Sequence, residues 1–181
     1  IATADAGLGR DLAGALAAGM FRPYWTDDVA GVSLGGAVKN VLAIAAGIVE
    51  GRGLGHNAAA ALITRGFAEM ARLGLAMGAR LETLTGLSGL GDIVLTCNGP
   101  QSRNRSLGLA LGKGTSLARH MEGRRQVVEG EATAAAVLAR ASKLGIEMPI
   151  CAAVDAILHR GADLDDAIRA LLARPLRREG E

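Results

Sequence analysis

A hydrophobic chain almost without aromatic residues has few ways to build a core. Half of the residues here are hydrophobic, yet Phe21, Tyr24, Trp25 and Phe67 are the only aromatics. The interior must be assembled from Ala, Leu, Val, Ile and Met. Such small aliphatic side chains suit closely packed helices better than a β-sandwich, which leans on aromatic and β-branched residues. Many of the 26 glycines fall where helices should stop, and the others need a different explanation.

The same composition narrows the function. A net charge of +2, spread along the chain with three of the four aromatics clustered near the start, lacks the basic stripe and stacking platforms of a nucleic-acid binder. Arg174, Arg177 and Arg178 read as a solvated tail. Cys97 and Cys151 make no disulfide framework and fit a reducing cytoplasm. His56, His120 and His159 have no metal-ligand spacing, so no metal is expected. The longest apolar run, residues 41–49, is too short to span a bilayer, and no signal segment opens the chain. The expectation is a soluble, cytoplasmic protein of one domain, with room for a fragment of another.

Residues 1–30 differ from the rest of the chain. A strand end at 1–3, a helical pattern at 8–18 and an extended stretch at 21–25 holding Pro23 resemble the tail of an α/β domain. From Leu34 the signal is helical. An apolar helix is expected over 35–50, then a Gly-rich turn and a long helix capped by Asn57. That helix should bury Leu62, Gly66, Met70, Leu73 and Met77 and leave Arg65, Glu69 and Arg72 in water. Residues 83–105 read as a long, irregular, glycine-rich segment of the kind that is often functional. Helices are expected near 105–112, 116–122, 130–144, 150–160 and 164–173. Gly78, Gly145 and Gly161 should stop helices, and Asp163 should cap the last one.

Several glycine patterns mean less than they suggest. Gly7-Leu-Gly-Arg-Asp-Leu12 lacks a third glycine, and Gly53-Leu-Gly-His-Asn-Ala58 follows a helix where a dinucleotide fingerprint needs a strand. Gly112-Lys113 lacks the upstream glycine of a P-loop. Gly86-Leu-Ser88-Gly-Leu90 has leucine where a nucleophile elbow needs glycine.

Lys39 is the sharpest anomaly, because apart from Asn40 its neighbours in 35–47 are all apolar or glycine. An ammonium among such neighbours is costly unless paired, and lysines so placed act as acid/base or carbonyl-polarising groups. The alternative is a lysine whose stem lies on the helix and whose head reaches solvent. Asp92 follows three glycines that let backbone approach closely, so its carboxylate can pair with a lysine; it can equally close a turn. Ser102-Arg103-Asn104 precedes a helix and offers a guanidinium fork, an amide and a helix start to an anion such as phosphate. A capping serine beside surface arginines is the ordinary alternative.

In order along the chain, Gly-Ala-Val-Lys39-Asn40-Val-Leu-Ala-Ile-Ala, Gly55-His-Asn57-Ala-Ala-Ala-Ala-Leu-Ile-Thr-Arg65-Gly, Gly89-Leu-Gly-Asp92, Thr96-Cys97, Ser102-Arg103-Asn104 and Val127-Val-Glu129-Gly130 resemble the C-terminal half of bacterial NAD(P)-dependent glycerol-3-phosphate dehydrogenases. The likeness covers residues 28–174. It implies an all-α fold, a multi-helix substrate domain of the 6-phosphogluconate-dehydrogenase-like C-terminal type over 31–181, preceded by a Rossmann remnant over 1–30. It also implies that Lys39 is the acid/base at C2 of dihydroxyacetone phosphate. Asp92, Ser102, Arg103 and Asn104 would bind that substrate, with Asn40 and Thr96 beside it. Arg103, Val127 and Glu129 would border NAD or NADP. The glycine fingerprint and a further substrate lysine of such enzymes are not found here, so the chain by itself is expected to be inactive. A homodimer is the partner to look for. A non-catalytic helical binding or dimerisation module, or another dehydrogenase of the 6-phosphogluconate type, is the competing reading.

Overall fold

The computed structural model describes residues 1–122 and 128–175. Its described helices are α1 (Ala6–Leu16), α2 (Val29–Gly51), α3 (His56–Ala76), α4 (Leu81–Thr85), a π-helical turn (Leu87–Gly91), α5 (Asp92–Asn98), α6 (Arg103–Gly112), α7 (Leu117–Met121), α8 (Glu129–Lys143), α9 (Pro149–His159) and α10 (Leu164–Leu172). Among the described residues no strand forms. The expected strand ends at 1–3 and 21–25 appear only as single bridges, Ala2 with Thr26 and Ala18 with Phe21. The fold is all-α.

Helix α2 is the axis. It is apolar nearly all round, as a helix enclosed on every side must be, and it packs against α3, α5, α6, α8 and α9. At 23 residues it exceeds the apolar run isolated in the sequence, and by length and composition it is long enough to cross a membrane. Here protein covers it: Val38, Val41, Leu42 and Ile44 are fully buried against a core that includes Met70, Leu73, Leu84, Ile93 and Leu107. Its closest partner is α6. A Cβ on Gly108 would lie 2.0 Å from the Ile44 carbonyl oxygen, so only glycine allows the two backbones to come so near.

Most helix ends fall where the sequence puts them. Gly78, Gly145 and Gly161 follow α3, α8 and α9 with φ of 82°, 67° and 64°, and Asp163 accepts from the amides of Asp165 and Asp166. Four expectations need correcting. Asn57 does not cap α3; the helix starts at His56 after Gly55, with no side-chain cap. Residues 83–105 are not irregular but form the end of α4, the π-helical turn, α5 and the start of α6. Glu69 is not in water: it is 2 % exposed and accepts from the amides of Ile150 and Cys151 at the start of α9, at 2.7 and 3.4 Å. Arg174 is not a free tail residue, since it pairs with Glu147 at 2.9 Å; Arg177 and Arg178 lie outside the described residues.

Candidate active site

The site forms where α2, the π-helical turn, α5 and the starts of α6 and α8 meet. One turn before Lys39, Gly35 lies against the turn, where a Cβ would sit 2.3 Å from the Ser88 carbonyl oxygen. That contact brings the start of α5 to the side of α2. Lys39 Nζ then donates to Asp92 Oδ2 at 2.5 Å, and Thr96, one turn further along α5, donates from Oγ1 to Asp92 Oδ1 at 3.3 Å. Both oxygens of the carboxylate are engaged. The pair is not sealed: the side chains are 24 % and 29 % exposed, while Val38 and Val41 beside Lys39 are wholly buried. An ammonium at the lip of an apolar wall has a fixed counter-ion and one side open to a ligand.

Asn40 joins the other elements. It is 7 % exposed; its Nδ2 donates to the Gly36 carbonyl at 3.3 Å and to Glu129 Oε2 at 3.2 Å. Its Oδ1 accepts from Asn104 Nδ2 at 3.0 Å. Asn104 in turn accepts at Oδ1 from the Gly130 amide at 2.9 Å. Two side-chain amides thus tie the middle of α2 to the first residues of both α6 and α8. A buried, satisfied network of this kind fixes geometry, because any rearrangement would strand a polar group.

Ser102 caps α6, its Oγ accepting from the Arg105 amide at 3.2 Å. Arg103 and Glu129 face each other at a loose 3.6 Å with 51 % and 61 % of their side chains exposed, so both can be reached by a ligand, although Glu129 Oε2 is already held by Asn40. Arg105 is committed elsewhere, paired with Glu50 at 2.5 Å. Val127 lies outside the described residues. Of the residues singled out in sequence, Lys39, Asn40, Asp92, Thr96, Asn104 and Glu129 are joined in two adjacent networks; Arg103 joins through Glu129, and Ser102 sits at the same helix start. Sequence reasoning missed Gly35 and the Gly130 amide. The paired glycines at 35 and 36, inside an otherwise apolar helix, were the available signal for the first.

Neither cysteine belongs to this chemistry. Burial pushes the Cys97 thiol up to about 12. Burial, with the nearby Glu69 charge, also raises the Cys151 thiol. Among the described residues no group of three His, Cys, Asp or Glu side chains is placed to hold a metal ion.

The sequence and the fold match known proteins. The family described as "NAD-dependent glycerol-3-phosphate dehydrogenase C-terminus" matches residues 28–169. A glycerol-3-phosphate dehydrogenase [NAD(P)+] of Maricaulis maris is 61 % identical over 175 residues, 97 % of this chain and 53 % of that protein. One from Caulobacter vibrioides is 58 % identical over 179 residues, 99 % of this chain and 54 % of that protein. The crystal structure of a glycerol-3-phosphate dehydrogenase from Coxiella burnetii superposes with a TM-score of 0.90 at 48 % identity, covering 96 % of this chain and 53 % of that one. The chain spans about half the length of the curated relatives it matches. By the family match over residues 28–169 and by these likenesses in sequence and fold, the chain belongs to the NAD-dependent glycerol-3-phosphate dehydrogenase family and corresponds to its C-terminal domain.

Proposed function

We propose that the chain is the substrate-binding half of an NAD(P)-dependent sn-glycerol-3-phosphate dehydrogenase, a cytoplasmic enzyme interconverting dihydroxyacetone phosphate and glycerol 3-phosphate, the backbone precursor of phospholipids. Residues 1–30 are, on this reading, the last elements of a preceding cofactor domain. The observation that carries it is the 2.5 Å contact of Lys39 with Asp92 at an open lip.

Lys39 Nζ gives a proton to the C2 oxygen as the carbonyl is reduced, and takes it back in the reverse direction. Asp92, steadied by Thr96, holds the ammonium in place. Arg103, Ser102 and the start of α6 anchor the phosphate, with Asn104 fixing that helix start against Asn40. Binding energy from a non-reacting phosphate is then used to orient the reacting carbon. The nicotinamide, when bound, supplies or accepts the hydride at C2. The residues present fit only one edge of such a cofactor: the loosely paired and exposed Arg103 and Glu129.

The test is an assay of the longer protein that carries the preceding half. It should oxidise NADH or NADPH on dihydroxyacetone phosphate and yield glycerol 3-phosphate. Loss of that reaction with the phosphate-free ketone, but not with the phosphorylated one, is expected from the anchor. Absence of turnover with the phosphorylated substrate would refute the reading.

A further inference from the structure

The join between residues 1–28 and the helical body is narrow and polar. Leu8, Leu12, Leu16, Met20, Phe21 and Tyr24 are exposed, so these side chains do not pack this N-terminal unit against the helical body. Its inner edge is Thr26, whose amide donates to the Ile1 carbonyl at 2.9 Å and whose carbonyl accepts from Thr3 at 3.1 Å. The link from there into α2 is two residues long, Asp27 and Asp28. Asp28 is 7 % exposed and caps α2 by accepting from the Gly31 amide at 2.8 Å.

Arg80, in the connection from α3 to α4, grips all three of these residues. Its amide donates to Asp28 Oδ2 at 2.8 Å, its guanidinium donates to Thr26 Oγ1 at 3.0 Å, and the same nitrogen pairs with the Asp27 carboxylate. The side-chain contacts are about half exposed, so they add little to stability. What they fix is an angle.

We propose that Arg80 is a positioning residue for the reaction: by holding Thr26 and Asp27 it sets the orientation of the N-terminal unit on α2. It thereby places the cofactor-bearing half over Lys39. This rests on the dehydrogenase reading above. Lys39 lies eleven residues beyond Asp28 on one helix, roughly 16 Å along its axis. A tilt of about ten degrees at the joint moves the two halves by roughly 3 Å relative to each other there, and about 1 Å of misplacement can cost on the order of a hundredfold in rate.

The test is steady-state kinetics of the longer protein carrying Arg80→Ala, Arg80→Lys, Asp27→Ala or the double change, with Arg169→Ala as an exposed ion-pair control on α10. Arg80→Ala should lower kcat about tenfold with KM for glycerol 3-phosphate within about twofold and the melting temperature within a few degrees. Arg80→Lys should be intermediate, and the double variant no worse than Arg80→Ala. If wild-type kcat persists in both Arg80→Ala and Asp27→Ala, or Arg169→Ala loses as much, the proposal is overturned while the dehydrogenase reading stands. A wild-type protein that does not turn over refutes that reading, and this proposal with it.

Discussion

Lys39 and Asp92 lie 53 residues apart in sequence, and what brings them together is the absence of a side chain at Gly35. The functional value of the pair is geometric. A partly exposed ion pair contributes little to stability, but on the proposed reading it removes the freedom of a long ammonium side chain in front of the substrate. Asp92→Asn should therefore fold normally and lower kcat by on the order of ten- to a hundredfold in the longer protein, as steady-state assay would show. Glu69 makes the opposite case, a carboxyl whose role is structural. Burial raises it to about 7 from an ordinary 4.5, against the amides of Ile150 and Cys151, which pull it down. The folded state thus holds this proton more tightly than the unfolded chain does. Its contribution is complete below about pH 4.5 and is lost as pH rises through 7, a change of about 3 kcal/mol. Urea midpoints at pH 5 and pH 8 should differ less in Glu69→Gln than in the wild type. Lys39 is legible in the sequence because it interrupts an apolar run. The burial of Glu69 is not, because its partners at the start of α9 lie some eighty residues away, and its own helix places it beside Arg65 and Arg72.

At the scale of elements, glycine decides how closely helices approach, and capping decides where they begin. Gly108→Ala would force a methyl group into the Ile44 carbonyl, 2.0 Å away. A destabilisation of about 3 kcal/mol or more is expected, read as a lower denaturation midpoint. Ser102→Ala removes the cap of α6 and should cost about 1 kcal/mol, with a higher KM for the phosphorylated substrate because the anchoring helix start frays. The helices α6 to α10 can be placed from sequence because Ser102, Ser116 and Asp163 cap α6, α7 and α10 and Gly145 and Gly161 stop α8 and α9. Residues 83–105 mislead for a physical reason. Gly86, Gly89 and Gly91 suggest loop, but a Cβ on Gly89 would sit 1.9 Å from the Leu84 carbonyl oxygen, so glycine there serves tight helical packing.

Across the described residues, the helical body carries, on the proposed reading, one wall of a site and an edge suited to a dinucleotide. The all-α class is readable from the aromatic-poor core. The resemblance in six ordered motifs points to the wall of the site, whereas its amide network appears only when α2, α6 and α8 are packed. The isolated 181-residue chain should show no turnover with NADH or NADPH, and any measurable oxidation of either cofactor on dihydroxyacetone phosphate would contradict that. The most direct measurement is kcat of Lys39→Ala in the longer protein, taken beside its circular dichroism spectrum. A loss of at least about a hundredfold with helix content unchanged is expected of an acid/base lysine; a kcat close to wild type in a folded variant would show that Lys39 is not the proton donor.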